Sequence, residues 1–84
     1  MIVRMWEVVA HPEAHQDLLG WVCEEALPRV EHAPSHVSNE VFTSTDSRIV
    51  VLTRWRGEPL ALAEPPRHLV KRSPHSWDFS PVDR

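Results

Sequence analysis

The sequence predicts an α+β fold, with four antiparallel strands in one sheet and helices on one face. Three observations carry that expectation. Residues 2–10, 36–44 and 48–56 are rich in β-branched and apolar side chains that alternate with period two. The stretch after His11-Pro12 repeats apolar residues at helical spacing. Thr45-Asp46-Ser47 has turn chemistry and joins the second and third strand-like runs as a hairpin.

The first strand stops at His11-Pro12, because proline donates no ladder hydrogen bond. Alternation puts Ile2, Arg4, Trp6 and Val8 on one face and Val3, Met5, Glu7 and Val9 on the other. Pro12 suits the first turn of a helix, and Glu13 and Asp17 suit its positive end. Leu19, Val22, Cys23, Ala26 and Val30 share an apolar arc, with Leu18 at its edge, His15 inside it and Trp21 off it. Pro28 cannot donate to the Glu24 carbonyl, so the helix is expected to bend or end there.

Residues 31–35 are a connector. The third strand sets Ile49, Val51, Thr53 and Trp55 against Val50, Leu52 and Arg54. Beyond Gly57, residues 60–64 and 66–72 are expected as short helical pieces divided by Pro65-Pro66, with Leu69 and Val70 inward. Residues 75–82 read as a last short strand, at an edge because of Pro81.

The order is therefore β-α-β-β-α-β, with a second helix that is short and broken by proline. Short connections and right-handed crossovers leave few arrangements of that order, the commonest being the ferredoxin-like split βαβ. Val3, Met5, Val50 and Leu52 then face away from the helices, and one chain has nothing to cover them. A homodimer closed sheet to sheet is the expected remedy.

Eighty-four residues are enough for one domain, spanning 1–84. A net charge of −3 excludes a generic binder of nucleic-acid backbones. No apolar run is long enough to span a membrane, and Met1–Glu7, with an acid inside its apolar stretch, does not read as a signal peptide. Cys23 is the single cysteine, so an intrachain disulfide or a zinc ribbon is excluded. A small soluble cytoplasmic protein is the expectation.

Charge is uneven. Residues 1–47 hold two basic and eight acidic side chains, and residues 48–84 hold seven basic and four acidic ones. The basic excess gathers at Arg67, His68, Lys71, Arg72 and His75, which form either a solvated face or an anion site.

Several pieces together resemble the antibiotic-biosynthesis-monooxygenase-like proteins of the dimeric α+β barrel superfamily. They are the opening Ile2-Val3-Arg4-Met5-Trp6-Glu7-Val8, the helix after His11-Pro12, Glu40-Val41-Phe42, and the strand Ile49-Val50-Val51-Leu52-Thr53-Arg54-Trp55. The resemblance implies a dimer of ferredoxin-like units with a ligand cleft between sheet and helices. It implies oxidation of aromatic polyketides without metal or flavin, haem degradation, isomerisation or decarboxylation, because the family spans all of these. It places Trp55 where the haem-degrading branch has a cleft tryptophan. That branch has an asparagine where this chain has Arg4, and His68 is the single candidate for its haem-ligating histidine.

Trp6 and Trp55 beside Arg4 would make an aromatic pocket with one fixed cation for a flat, partly anionic ligand; Trp77 would join either this pocket or the core, and Arg72 is a further ligand-binding candidate. The alternative is that both tryptophans are ordinary core and Arg4 pairs with an acid. Oxygenation without a bound cofactor needs a base and a group that stabilises the resulting anion. His15, His68 and His75 are the candidate bases, with Arg4 or Arg72 as the anion partner. Cyclisation or isomerisation would use the same parts. With only Gly20 and Gly57 there is no Gly-rich phosphate loop, and no nucleotide cofactor is expected. A non-catalytic binding or accessory protein of the same fold is the rival reading. A histidine-based metal protein is a further one; it would draw on His11 and His15, four residues apart.

Overall fold

The computed structural model describes Met1–Arg84. Its elements are β1 (Ile2–Ala10), one composite helix α1 (residues 12–31), β2 (His36–Thr43), β3 (Arg48–Trp55) and β4 (Val70–Phe79). The sheet is fully antiparallel in the order β2-β3-β1-β4, as expected for the ferredoxin-like arrangement.

Alternation fixes two unlike faces. Trp6, Val8, Ala10, Ile49, Val51 and Trp55 point at α1 and are buried against Leu18, Val22, Leu27 and Val30. Trp6 and Trp55 therefore share a face, as the sequence predicts. On the opposite face the register sets Met5 between Leu52 and Trp77, and Val3 between Arg54 and Phe79. Trp77, Phe79 and Phe42 are exposed there. Ion pairs Arg54–Glu40 (2.5 Å) and Arg48–Glu7 (3.1 Å) lie on this same face, beside an apolar centre.

The helix passes through Pro28 to Glu31 rather than ending near it. Residues 22–26 widen into a π turn, and the Leu27 N–H bonds the Val22 carbonyl five residues back. That wider turn gives the Pro28 ring the room an α-helical carbonyl at Glu24 would deny it. The buried stripe is Ala14, Leu18, Val22, Ala26 and Val30, so Leu18 is central rather than marginal. Cys23 is exposed, contrary to its expected place on the stripe. Trp21 is half-buried and packs on the core.

The second half departs further from expectation. No second α-helix forms. Residues 59–66 form neither helix nor strand, and only a 3₁₀ turn at Arg67–Leu69 precedes β4. β4 begins at Val70, earlier than the sequence suggests, and ends at Phe79, before Pro81. A period-two pattern is hard to see there, because the pairing with β1 slips between Glu7 and Val9 and again between Val9 and Ala10. Pro74 is tolerated because β4 is an edge strand and the proline falls within the first slip.

Candidate functional site

The register lines up one polar rung across all four strands on the helix-facing side: Asn39, Thr53, Arg4 and Asp78. It lies between an apolar rung, Val41-Val51-Trp6-Ser76, and the end of the sheet, where His36 pairs with Trp55 and Trp55 with Ile2. α1 does not cover the Arg4 end of this rung. The segment from Leu60 to Glu64 does, leaving a cavity of about 170 Å³ lined by Arg4, Trp6, Thr53, Leu60–Leu62, Glu64, Pro74 and Ser76.

Arg4 and Asp78 hold each other. Arg4 Nε donates to Asp78 Oδ1 at 2.7 Å and Nη2 donates to Oδ2 at 2.9 Å, a bidentate pair between residues 74 apart in sequence. The hydrogen bonds from Arg4 hold the Asp78 carboxyl below its ordinary value of 3.8, and the same pairing pushes the Arg4 guanidinium up. Nη1 makes no hydrogen bond.

Because the folded carboxyl titrates below the unfolded one, the pair's contribution to stability is complete above about pH 4. It is lost as pH falls through the lowered folded value. The Asp78 side chain is 46% exposed, so screening limits the contribution to at most about 1 kcal/mol. Urea titrations of wild type and Asp78→Asn are expected to differ near neutrality and to converge below about pH 4. A gap that persists unchanged into acid would exclude the linkage.

At the other end of the rung, Asn39 Nδ2 donates to Glu31 Oε2 at 3.1 Å, and His36 Nε2 donates to Asn39 Oδ1. A register slip between His36 and Ser38 turns His36 inward, where its ring meets Trp55 edge-on at 5.2 Å. Trp55 Nε1 donates to Thr53 Oγ1 at 2.7 Å, and both side chains are buried. Trp55 is thus held on its ring edge and its N–H. It is completely buried and does not line the cavity, the core role set out above as the alternative.

The other site residues expected from sequence scatter. Trp6 lines the cavity and Arg4 lines it as one half of an ion pair. Trp77 pairs with Met5 and therefore lies on the opposite face, a correction to its placing as cavity lining. Arg72 pairs with Val9 and His75 with Glu7 on that same face, also away from the cavity. His68 is exposed on the 3₁₀ turn. His15 lies on α1 and is not among the cavity residues; its Nδ1 is buried without a hydrogen-bond partner. None of the three histidines reaches the cavity. No cluster of three or more His, Cys, Asp or Glu side chains converges anywhere, so His11 and His15 gain no third ligand. Sequence reasoning missed Glu64, Thr53 and Ser76. Thr53 and Ser76 follow from register, but Glu64 follows only from the path of its segment.

Two solved structures share this fold, so the resemblance holds at the level of fold. Across 99% of this chain the structure superposes on Rv0793 from Mycobacterium tuberculosis, with 96% of that chain covered, 14% identity and a TM-score of 0.72. It also superposes on a monooxygenase from the gene ActVA-Orf6 of Streptomyces coelicolor, solved in complex with the ligand Nanaomycin D. There 99% of this chain and 88% of that one are covered, at 13% identity and a TM-score of 0.73. No protein-family model matches the sequence, and no curated protein does. No helix is long and apolar enough to cross a membrane.

Proposed function

We propose that this protein is a homodimeric monooxygenase-like enzyme that acts on a planar, readily deprotonated aromatic or polyketide-like molecule without a bound cofactor. One observation carries the reading: a cavity between sheet and roof that brings together an indole (Trp6), an oriented cation (Arg4) and an unpaired carboxylate (Glu64). Trp6 stacks a ring, and Arg4 Nη1 takes the phenolate or enolate oxygen while Asp78 fixes the guanidinium. Glu64 replaces the three histidines as base, because it lines the cavity and they do not. The carbanion left after proton removal gives an electron to dioxygen. The radical and superoxide join in a C–O bond, and the peroxide takes back the proton held by Glu64. The same carbon then loses its second hydrogen as a proton, the O–O bond breaks, and water leaves behind a carbonyl. Substrate and dioxygen supply every electron.

Dioxygen uptake with a panel of enolisable aromatic ketones tests this. Glu64→Gln is expected to lower turnover about a hundredfold with little change in binding. Full activity in that variant would remove Glu64 from the role. A binding or accessory protein is favoured instead by the roof, whose exposed Leu60 and Ala61 leave the cavity open to water. Tryptophan quenching by aromatic probes with no dioxygen consumed supports that second reading.

A further inference from the structure

The cavity does not end at Glu64. A wider cleft of about 500 Å³ adjoins it, lined by Glu64, Pro65, Arg67, Lys71, Ser73 and Pro74 together with Val70, and Glu64 and Pro74 belong to both. Alone, the inner cavity is smaller than the roughly 300–1,000 Å³ of an ordinary small-molecule site. A ligand of that size therefore extends past Glu64 into the outer cleft.

The two parts differ in character. The inner one offers Trp6 and Arg4, two of whose donors Asp78 already takes. The outer one offers Arg67 and Lys71, which make no ion pair and no side-chain hydrogen bond. Unpaired surface cations are common. Lys71 is set apart by backbone geometry, and Arg67 lines the same cleft from the 3₁₀ turn. Val70 pairs with Ala10 on the helix-facing side, and simple alternation would send Lys71 to the far face. The slip between Val9 and Ala10 inserts Lys71 as an extra residue, and the next slip does the same within Ser73-Pro74. The irregular strand thus turns Lys71, Ser73 and Pro74 into the cleft, whereas Arg72 pairs with Val9 on the open face. Glu64, between the parts, disfavours an anion at the border and leaves the positive end at Arg67 and Lys71.

We infer that the substrate carries an anionic substituent, a carboxylate or phosphate, which Arg67 and Lys71 hold in the outer cleft while its ring system rests on Trp6. The inference rests on the aromatic-substrate reading above. Isothermal titration with α-naphthol, hydroxynaphthoate and α-naphthyl phosphate tests both and keeps them apart. Wild type is expected to bind the better anionic probe about tenfold more tightly than α-naphthol. The tighter of the two anionic probes names the group. In Arg67→Ala/Lys71→Ala, whose changes are at exposed positions, that preference is expected to vanish while α-naphthol binding stays unchanged. Equal binding of neutral and charged probes by wild type, or a preference that survives in the variant, overturns the inference and leaves the aromatic site standing. Failure of all three probes to bind overturns the aromatic site, and the inference with it.

Discussion

Trp55→Ala is expected to destabilise the protein by about 3–5 kcal/mol, measured by urea denaturation. The side chain is completely buried, its N–H is satisfied by Thr53, and its ring carries the edge of His36. Truncation leaves a cavity at one end of the core and strips a buried Thr53 hydroxyl of its donor. Small domains have about 5–15 kcal/mol in all, so much of the variant would be unfolded at physiological temperature. Loss of activity in Trp55→Ala would therefore report folding, not contact with ligand. Trp55→Phe separates the two, because it keeps most of the volume and should keep most of the stability. A loss below about 1 kcal/mol in Trp55→Ala would show that the indole is not the anchor its burial implies.

Met5→Glu is expected to abolish association of the proposed homodimer at micromolar concentration, read by sedimentation velocity. Met5 is the centre of the uncovered face, with Leu52 on one side, Trp77 on the other, and Val3 and Phe79 in the next rung. A carboxylate there would be buried without a partner in a sheet-to-sheet dimer, which costs enough to weaken pairing at least about a hundredfold. In an isolated chain the same residue would stay in water and leave the fold nearly unchanged. The nearby cations on this face, Arg48 and Arg54, already pair with Glu7 and Glu40. Wild type sedimenting as a single chain would overturn the pairing, and a dimer surviving Met5→Glu would move it to another surface.

The sheet was legible because three of its strands alternate cleanly and the tight turn at Thr45-Asp46-Ser47 leaves β2 and β3 one way to pair. Burial of Trp6 and Trp55 on one face followed from that alternation. The course of α1 past Pro28 was not legible, because a π turn is a local answer to a steric problem and leaves no period in the sequence. The second helix was expected from a few apolar residues between prolines. A run that short does not pay for nucleating a helix, and Val70–Phe79 instead gains a ladder on β1. Arg4 was recognised as a site residue. Its partner Asp78 could not be paired with it until the β1–β4 register was known. The histidines were chosen for their titration range, which says nothing about position, and position excludes them from the cavity.

The roof from Pro59 to Pro65 makes no backbone–backbone hydrogen bond. Its path is set by proline rings and by two anchors, the buried Pro65 and the half-buried Leu62. A covering held so loosely to the sheet can change in length or residue type without disturbing the ladders below it. If the proposed cavity binds a compound, its recognition is therefore open to evolution, or to grafting, through this strip alone, while the strands keep their register.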